Sequence, residues 1–330
     1  MASEVQTDES PVHPGAISGS KDANKGRLLD LAFRRLSVFS ALLVLVILVA
    51  IALFLLQEAL PAIHKDTASF LTEKQWRPDD SPPVFGIAAL LYGTLVTAFL
   101  AMVMAMPVAV GVALWLTQYG PRALARPLGY VVDLLAAVPS VVFGLWGLIY
   151  LVPKMIPLSA WLSKYFGWIP IFKSDGIFGK SIFTASVVLA IMILPLIAAI
   201  TREVFLQVPR ENQEAALALG STRWEMIRLA VLPYGRSGLI SAAVLGFGRA
   251  LGETIAVALV LSANYTISAH LLTPGGNTIA ANIANTFGEA GNIGRGALIA
   301  SGLVLFVITL AVNFGARAIV ARRRDFQAAT

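Results

Sequence analysis

From Val84 to Gly120 the chain carries no charged side chain at all. A helix needs about 20 apolar residues to cross the hydrocarbon core of a bilayer. This one run is longer than that. Further runs with few or no charges lie at Leu36 to Gln57, about 128–152, about 181–200, about 237–263 and about 296–319. Of the 330 residues 57% are hydrophobic and only 13% are charged, a balance foreign to a large soluble domain. The expected fold class is all-α, a polytopic membrane protein with six transmembrane helices.

The polar stretches divide those spans. Residues 1–30 have almost no bulky apolar side chains and read as a disordered cytoplasmic tail. Residues 31–85 hold the first span and an exterior loop. The first apolar run is too long for the core of a signal peptide and has no clear small-residue cleavage site, so it is read as a retained span. Residues 86–320 form the main transmembrane domain, interrupted by a polar segment at 201–236, and 321–330 form a basic tail. Gln118 to Pro127 is expected to be a tight turn, 153–180 an exterior loop with Trp161, Trp168 and four lysines, and Asn264 to Asn292 another exterior loop. Of the 25 Lys and Arg, sixteen lie in the N-terminus, the 117–127 turn, the 201–236 segment and the C-terminus, and eight in the other loops. The positive-inside rule then puts both termini in the cytoplasm of a cell-membrane protein. The net charge of +6 reflects this topology and not nucleic-acid binding. Cysteine is absent and the three histidines (His13, His64, His270) are isolated, which argues against disulfides and metal sites.

The polar segment has its own grammar. Pro209 marks the start of a helix, Glu211 to Leu219 favour it, and Gly220 is placed to end it in a left-handed cap. Thr222 and Glu225 then form a capping box for a second helix. Pro233 is expected to stop that helix near Leu232. The small side chains Ala215, Ala216 and Ala218 allow another protein to approach closely. Glu214 and five arginines between Arg202 and Arg236 keep the segment in water.

A second feature is Gly246 to Thr254, GFGRALGET, in the fifth span. Arg249 is twelve residues from Ser237, about 18 Å along a helix and so near the midplane. An intramembrane charge of this kind costs roughly 2.5–3.5 kcal/mol on insertion scales and normally faces a cavity or a partner. Glu253, four residues on, shares the helix face of Arg249 and can pair with it. Gly246, Gly248 and Gly252 would admit a neighbouring helix. A planar guanidinium donates two parallel hydrogen bonds to an oxyanion. The pair is read as a site on a substrate pathway for an anion; the alternative is a buried pair that only fixes helix packing. Asp133, expected one or two turns into the third span, is a further pathway candidate that could pair with Arg249 or with an arginine of a partner.

Glu214-Ala215-Ala216, Gly220 and Leu232-Pro233 resemble the EAA loop of ABC-transporter permeases, with Ala230 where the pattern has Ile. The resemblance implies that 201–236 is a cytoplasmic coupling loop fitting a groove on an ATPase subunit. With GRALGET and Val138 to Leu148, VPSVVFGLWGL, the chain is similar over roughly 85–320 to phosphate-transport permeases of the PstC type. That implies a MetI-like type I importer fold and phosphate as cargo, with Arg249 and Glu253 matching an Arg and a Glu tied to transport. It also implies a second homologous permease subunit (PstA-like), two ATPase subunits (PstB-like) that bind ATP and Mg, an extracytoplasmic phosphate-binding protein (PstS-like) and surrounding lipid. No cofactor is expected in this chain, which is not expected to be an enzyme. Ser174 to Ser181, SDGIFGKS, misses the first glycine of a phosphate-binding loop and follows no strand. Two other readings stay open: the same architecture for another oxyanion such as sulfate or molybdate, and an ion-coupled secondary transporter.

Overall fold

A computed structural model describes residues 20–328. Contacts divide the chain into two units, Met1–Phe54 and Leu55–Thr330. Helix α1 (Ser20–Lys65) supplies the described part of the first. It begins ten residues before the expected end of the disordered tail; residues 1–19 of that tail lie outside the described residues. From Leu36 to Phe54 nearly every side chain is exposed and apolar, a helix suited to lipid on all faces.

Among the described residues, six helical stretches are long and apolar enough to cross a bilayer: Leu29–Lys65, Ala88–Tyr119, Ser140–Phe166, Ile182–Leu206, Arg223–Leu251 and Asn292–Ala318. The expected number therefore holds. In the second unit, α6 (Ile182–Leu206) is the central helix, packed against α2 (Ala88–Leu114), α3 (Arg122–Ala136) and α9 (Leu232–Leu251). Ala98, Ala101, Ala105 and Ala109 of α2 are all buried in this core. Their spacing puts a strip of small side chains on one face, so α2 and α6 come together closely. Gly246 on α9 does the same, because a Cβ there would meet Ile197 of α6 at 2.7 Å. Among the described residues Gly248 and Gly252 face no neighbouring helix, contrary to expectation.

Two spans start elsewhere than hydropathy suggested. The expected third span, 128–152, is split: α3 ends at Ala136, and a new helix runs as α4 (Ser140–Trp146), a widened π-turn (Gly147–Leu151) and α5 (Val152–Phe166). Pro139 does not bend a continuous span but sits at the N-terminus of α4, where its missing amide hydrogen costs nothing. The tight turn at 117–127 gives way to a π-turn (Trp115–Tyr119) and the start of α3, and the exterior loop shortens by the length of α5. In the fifth span, α8 (Arg223–Met226) passes through a π-turn (Ile227–Val231) straight into α9. Pro233 does not end the helix. The Leu232 amide reaches back five residues to the Ile227 carbonyl, and this wider turn accommodates the proline.

The expected exterior loop at 264–292 is also different. Beyond α10 (Ile255–Val260), Leu271, Leu272, Asn277 and Thr278 are buried, and α11 (Ile279–Thr286) starts inside the bundle. The segment packs back over the ends of α2 and α6. Tyr92 donates to the Ser268 carbonyl at 2.7 Å, and the Ile279 amide to Thr94 Oγ1 at 3.0 Å. Tyr265 and Asn277 both donate to Asn282 Oδ1, at 2.8 and 3.1 Å. Burial pushes the Tyr265 phenol up from its ordinary pKa. Before α2, β1 (Trp76–Arg77) and β2 (Val84–Phe85) form a small antiparallel hairpin. Its Asp79 accepts amides of Gly291 and Gly294 at 3.0 and 2.9 Å, at the start of α12 (Asn292–Ala328). Helix α12 runs through the segment expected to be a basic tail. Ser174 to Ser181 is a turn before α6, with Ser181 as its N-cap.

Candidate functional site

The polar segment folds as its residues dictate. Helix α7 (Arg210–Ala218) starts after Pro209. Gly220 has φ +83°, the left-handed conformation in which a Cβ is strained. Its amide bonds the Leu217 carbonyl at 2.9 Å, and the Ser221 amide bonds Ala216 at 3.4 Å. These two bonds make a Schellman cap, so the carbonyls at the end of α7 are satisfied. One residue later the Thr222 and Glu225 capping box is closed in both directions. Two helix ends are thus locked within six residues.

The outer side of this corner is bare. No residue of α7 is buried, Glu214 and Ala215 are exposed, and Leu219 is 90% exposed with Trp224 at 56%. The inner side is anchored. Ala216 and Leu232 pack on a cluster of Ala113 at the end of α2, Phe205 and Val208 at the end of α6, and Met226, Ile227 and Val231 in α8 and the π-turn that leads into α9. A push on α7 therefore reaches three spans through one apolar cluster. Gly220 sets the turn, and Pro233 lies in the first turn of α9 directly after the π-turn.

The Arg249 region is less as expected. Helix α9 ends at Leu251, with Gly252 as its C-cap. Arg249 and Glu253 do not share a helix face. Glu253 is buried at 8% exposure, and its Oε1 accepts the Ala256 amide at 3.2 Å in the first turn of α10. A carboxylate that caps the next helix competes with continuation of the previous one, and Gly252 weakens the helix at the same point. Among the described residues Arg249 and Glu253 form no ion pair. What the break does is turn the chain so that α10 lies against α4. A Cβ on Gly144 would meet the Ala256 backbone at 2.7 Å, and one on Gly147 would meet Val188. The VPSVVFGLWGL stretch therefore meets α10, which follows directly on GRALGET, at a close glycine contact.

Asp133 lies on α3 and not in a span. Its Oδ2 accepts from Arg202 Nη2 at 3.0 Å, and Arg202 also donates to Glu203 at 2.8 Å. The arginine partner comes from α6 and not from Arg249. Asp133 is thus joined neither to Arg249 nor to Glu253. The buried Asn277 and Asn282 cluster was missed, although Ile279, Ile283 and Phe287 repeat at helical spacing and the Leu271-Leu272 pair is apolar. Among the described residues no three His, Asp or Glu side chains gather to hold a metal ion.

Residues 105–325 match the family described as binding-protein-dependent transport system inner membrane component. The phosphate transport system permease protein PstC 2 of Mycobacterium bovis is 46% identical over 281 residues, covering 84% of this chain and 87% of its own. A phosphate transport system permease protein PstC of Xylella fastidiosa is 43% identical over 309 residues, covering 92% and 94%. Among solved structures, an inward-facing methionine ABC transporter, MetNI, matches with TM-score 0.51 at 18% identity, covering 70% of this chain and 93% of its own. At that identity the likeness concerns the fold, which is MetI-like.

Proposed function

The chain belongs to the family of binding-protein-dependent transport system inner membrane components, and from that premise we propose that it is the permease subunit of an ATP-driven importer of inorganic phosphate. The observation that carries the cargo is the 46% identity to a phosphate transport system permease over most of both chains. In this reading α7 is the coupling helix. Glu214 and Ala215 meet the ATPase subunit, Ala216 seats the helix on the apolar cluster behind it, Gly220 holds the turn, and Leu232-Pro233 joins it to the span. The exposed Leu219 and Trp224 support a surface that a partner covers.

Phosphate arrives from an extracytoplasmic binding protein and passes between this subunit and a second, homologous permease. Two ATPase subunits bind ATP and Mg and supply the driving force. Their closure moves α7, and the apolar cluster behind it passes that movement to α2, α6 and α9, shifting the spans between two states of access. Arg249 contacts the anion in transit. Glu253 acts on the same path while it holds the break between α9 and α10. Asp133 is dropped from the pathway because its partner is Arg202. The protein sits in the cell membrane with both termini in the cytoplasm, as its arginine distribution favours.

The test is radiolabelled phosphate uptake in cells without their own high-affinity system, supplied with the whole complex, with excess sulfate or molybdate as competitor. Uptake that needs this chain and ATP and ignores both competitors is expected. Competition by sulfate or molybdate would keep the machine and change the cargo. Uptake that follows an ion gradient without ATP would overturn the coupling assignment.

A further inference from the structure

A cleft of about 920 Å³ opens beside α7, walled by the ends of α2 and α6 and by the starts of α3 and α7. Five arginines line it, Arg122, Arg126, Arg202, Arg210 and Arg223, against one acid, Glu214. Arg202 is already shared by Asp133 and Glu203, although its buried Nε has no partner. Among the described residues the other four form no ion pair. Arg223 donates only a long 3.5 Å bond to the Gln118 carbonyl. Glu211 and Glu225 lie nearby in sequence, but Glu225 is held in its capping box.

The start of α3 sharpens the point. A helix N-terminus carries a partial positive charge and unpaired amides, so acids or a capping oxygen are favoured there. Helix α3 has neither: its N-cap is Pro121, its first turn has no acid, and Arg122 and Arg126 are its first charged residues. Helix α7 also lacks a side-chain cap and opens on Arg210, with Glu211 the one acid in its first turn. Cations gathered at two uncapped helix starts repel one another and the helix ends, unless an anion lies between them. Guanidinium groups together with helix amides favour a tetrahedral phosphate group.

We propose that this cleft is a second anion site, separate from Arg249, that binds a phosphate group and ties α7 to the α2–α3 corner. The group comes either from free inorganic phosphate or from an anionic lipid headgroup. A bound anion bridges α7 to elements behind it and so restrains the helix that carries the coupling motif. The cytoplasmic position of the site and its effect on coupling rest on the function proposed above; the binding does not.

The experiment uses the assembled permease and ATPase subunits without the extracytoplasmic binding protein, carrying Arg249→Gln to weaken phosphate binding on the transport path, with and without Arg122→Gln and Arg126→Gln. Both arginines are exposed and Gln keeps helix propensity, so the fold is retained. One arm titrates radiolabelled inorganic phosphate on delipidated complex. The other measures phosphatidylglycerol retained from mixed phosphatidylcholine nanodiscs. Loss of two charge-assisted contacts is expected to weaken one of these ligands by at least tenfold, and the affected arm identifies the source. Unchanged binding of both ligands overturns the proposal. So does loss of the ATPase subunit with both bindings unchanged, which would make the cleft a protein-docking surface. ATP-driven uptake by the otherwise unaltered complex is measured alongside. Its absence would count against the transport reading and leave the binding result standing.

Discussion

Arg249 and Glu253 were placed on one helix face by their spacing, and the break at Gly252 separates them. Their tests now differ. Arg249→Gln removes a cation that caps nothing, so uptake should fall by roughly ten- to a hundredfold with the complex intact, the loss of one hydrogen bond to a charged group. Glu253→Gln is more informative. A carboxamide oxygen can still accept the Ala256 amide, so the turn into α10 survives while the charge is gone. Phosphate uptake by this variant should fall at unchanged thermal stability; normal uptake would reduce Glu253 to a cap. Asp133→Asn should do neither. Its carboxylate is 43% exposed and shares Arg202 with Glu203, so the change should cost less than about 1 kcal/mol and leave uptake within twofold.

The turn at Gly220 was legible because everything that makes it is local: a proline start, a glycine stop, and a threonine and a glutamate three apart. The boundaries of the third and fifth spans were not. Hydropathy counts apolar side chains and does not see what they rest on. Leu128 to Val138 is apolar enough to enter a span, yet α3 lies on α6 with Gly129 directly against the Arg202 guanidinium. Pro233 read as a stop because a regular turn was assumed, and the π-turn removes that assumption. The Asn- and Gly-rich stretch at 264–292 looked like an exposed loop because its polar side chains satisfy one another only across the fold, as Tyr265 and Asn277 do at Asn282. The local turn is the element to perturb. Gly220→Ala forces a Cβ into the left-handed region, at about 1–2 kcal/mol. Amides of 210–226 should then exchange faster, and less ATPase subunit should be retained on purification. Unchanged exchange there would show that the turn tolerates the strain and that Gly220 is not needed to hold α7.

At the scale of the molecule, six candidate spans among the described residues and the bias of basic residues favour one orientation, and the absence of cysteine makes it easy to test. Leu219, at the tip of the α7 turn, and Ile177, in the loop before α6, are 90% and 68% exposed. They lie at opposite ends of the span Ile182–Leu206, so one membrane crossing separates them. Neither supports the core, and each can be replaced by a single cysteine in an otherwise thiol-free chain. In intact cells a membrane-impermeant maleimide should label Ile177→Cys and leave Leu219→Cys untouched until the membrane is opened. Supplying the ATPase subunits should then protect Leu219→Cys, because α7 is the face we propose they cover. The reverse labelling pattern would invert the chain and put the coupling motif outside the cell, where no ATP is available to drive it. Labelling of Leu219→Cys that ignores the ATPase would leave the orientation intact and remove α7 as the docking surface.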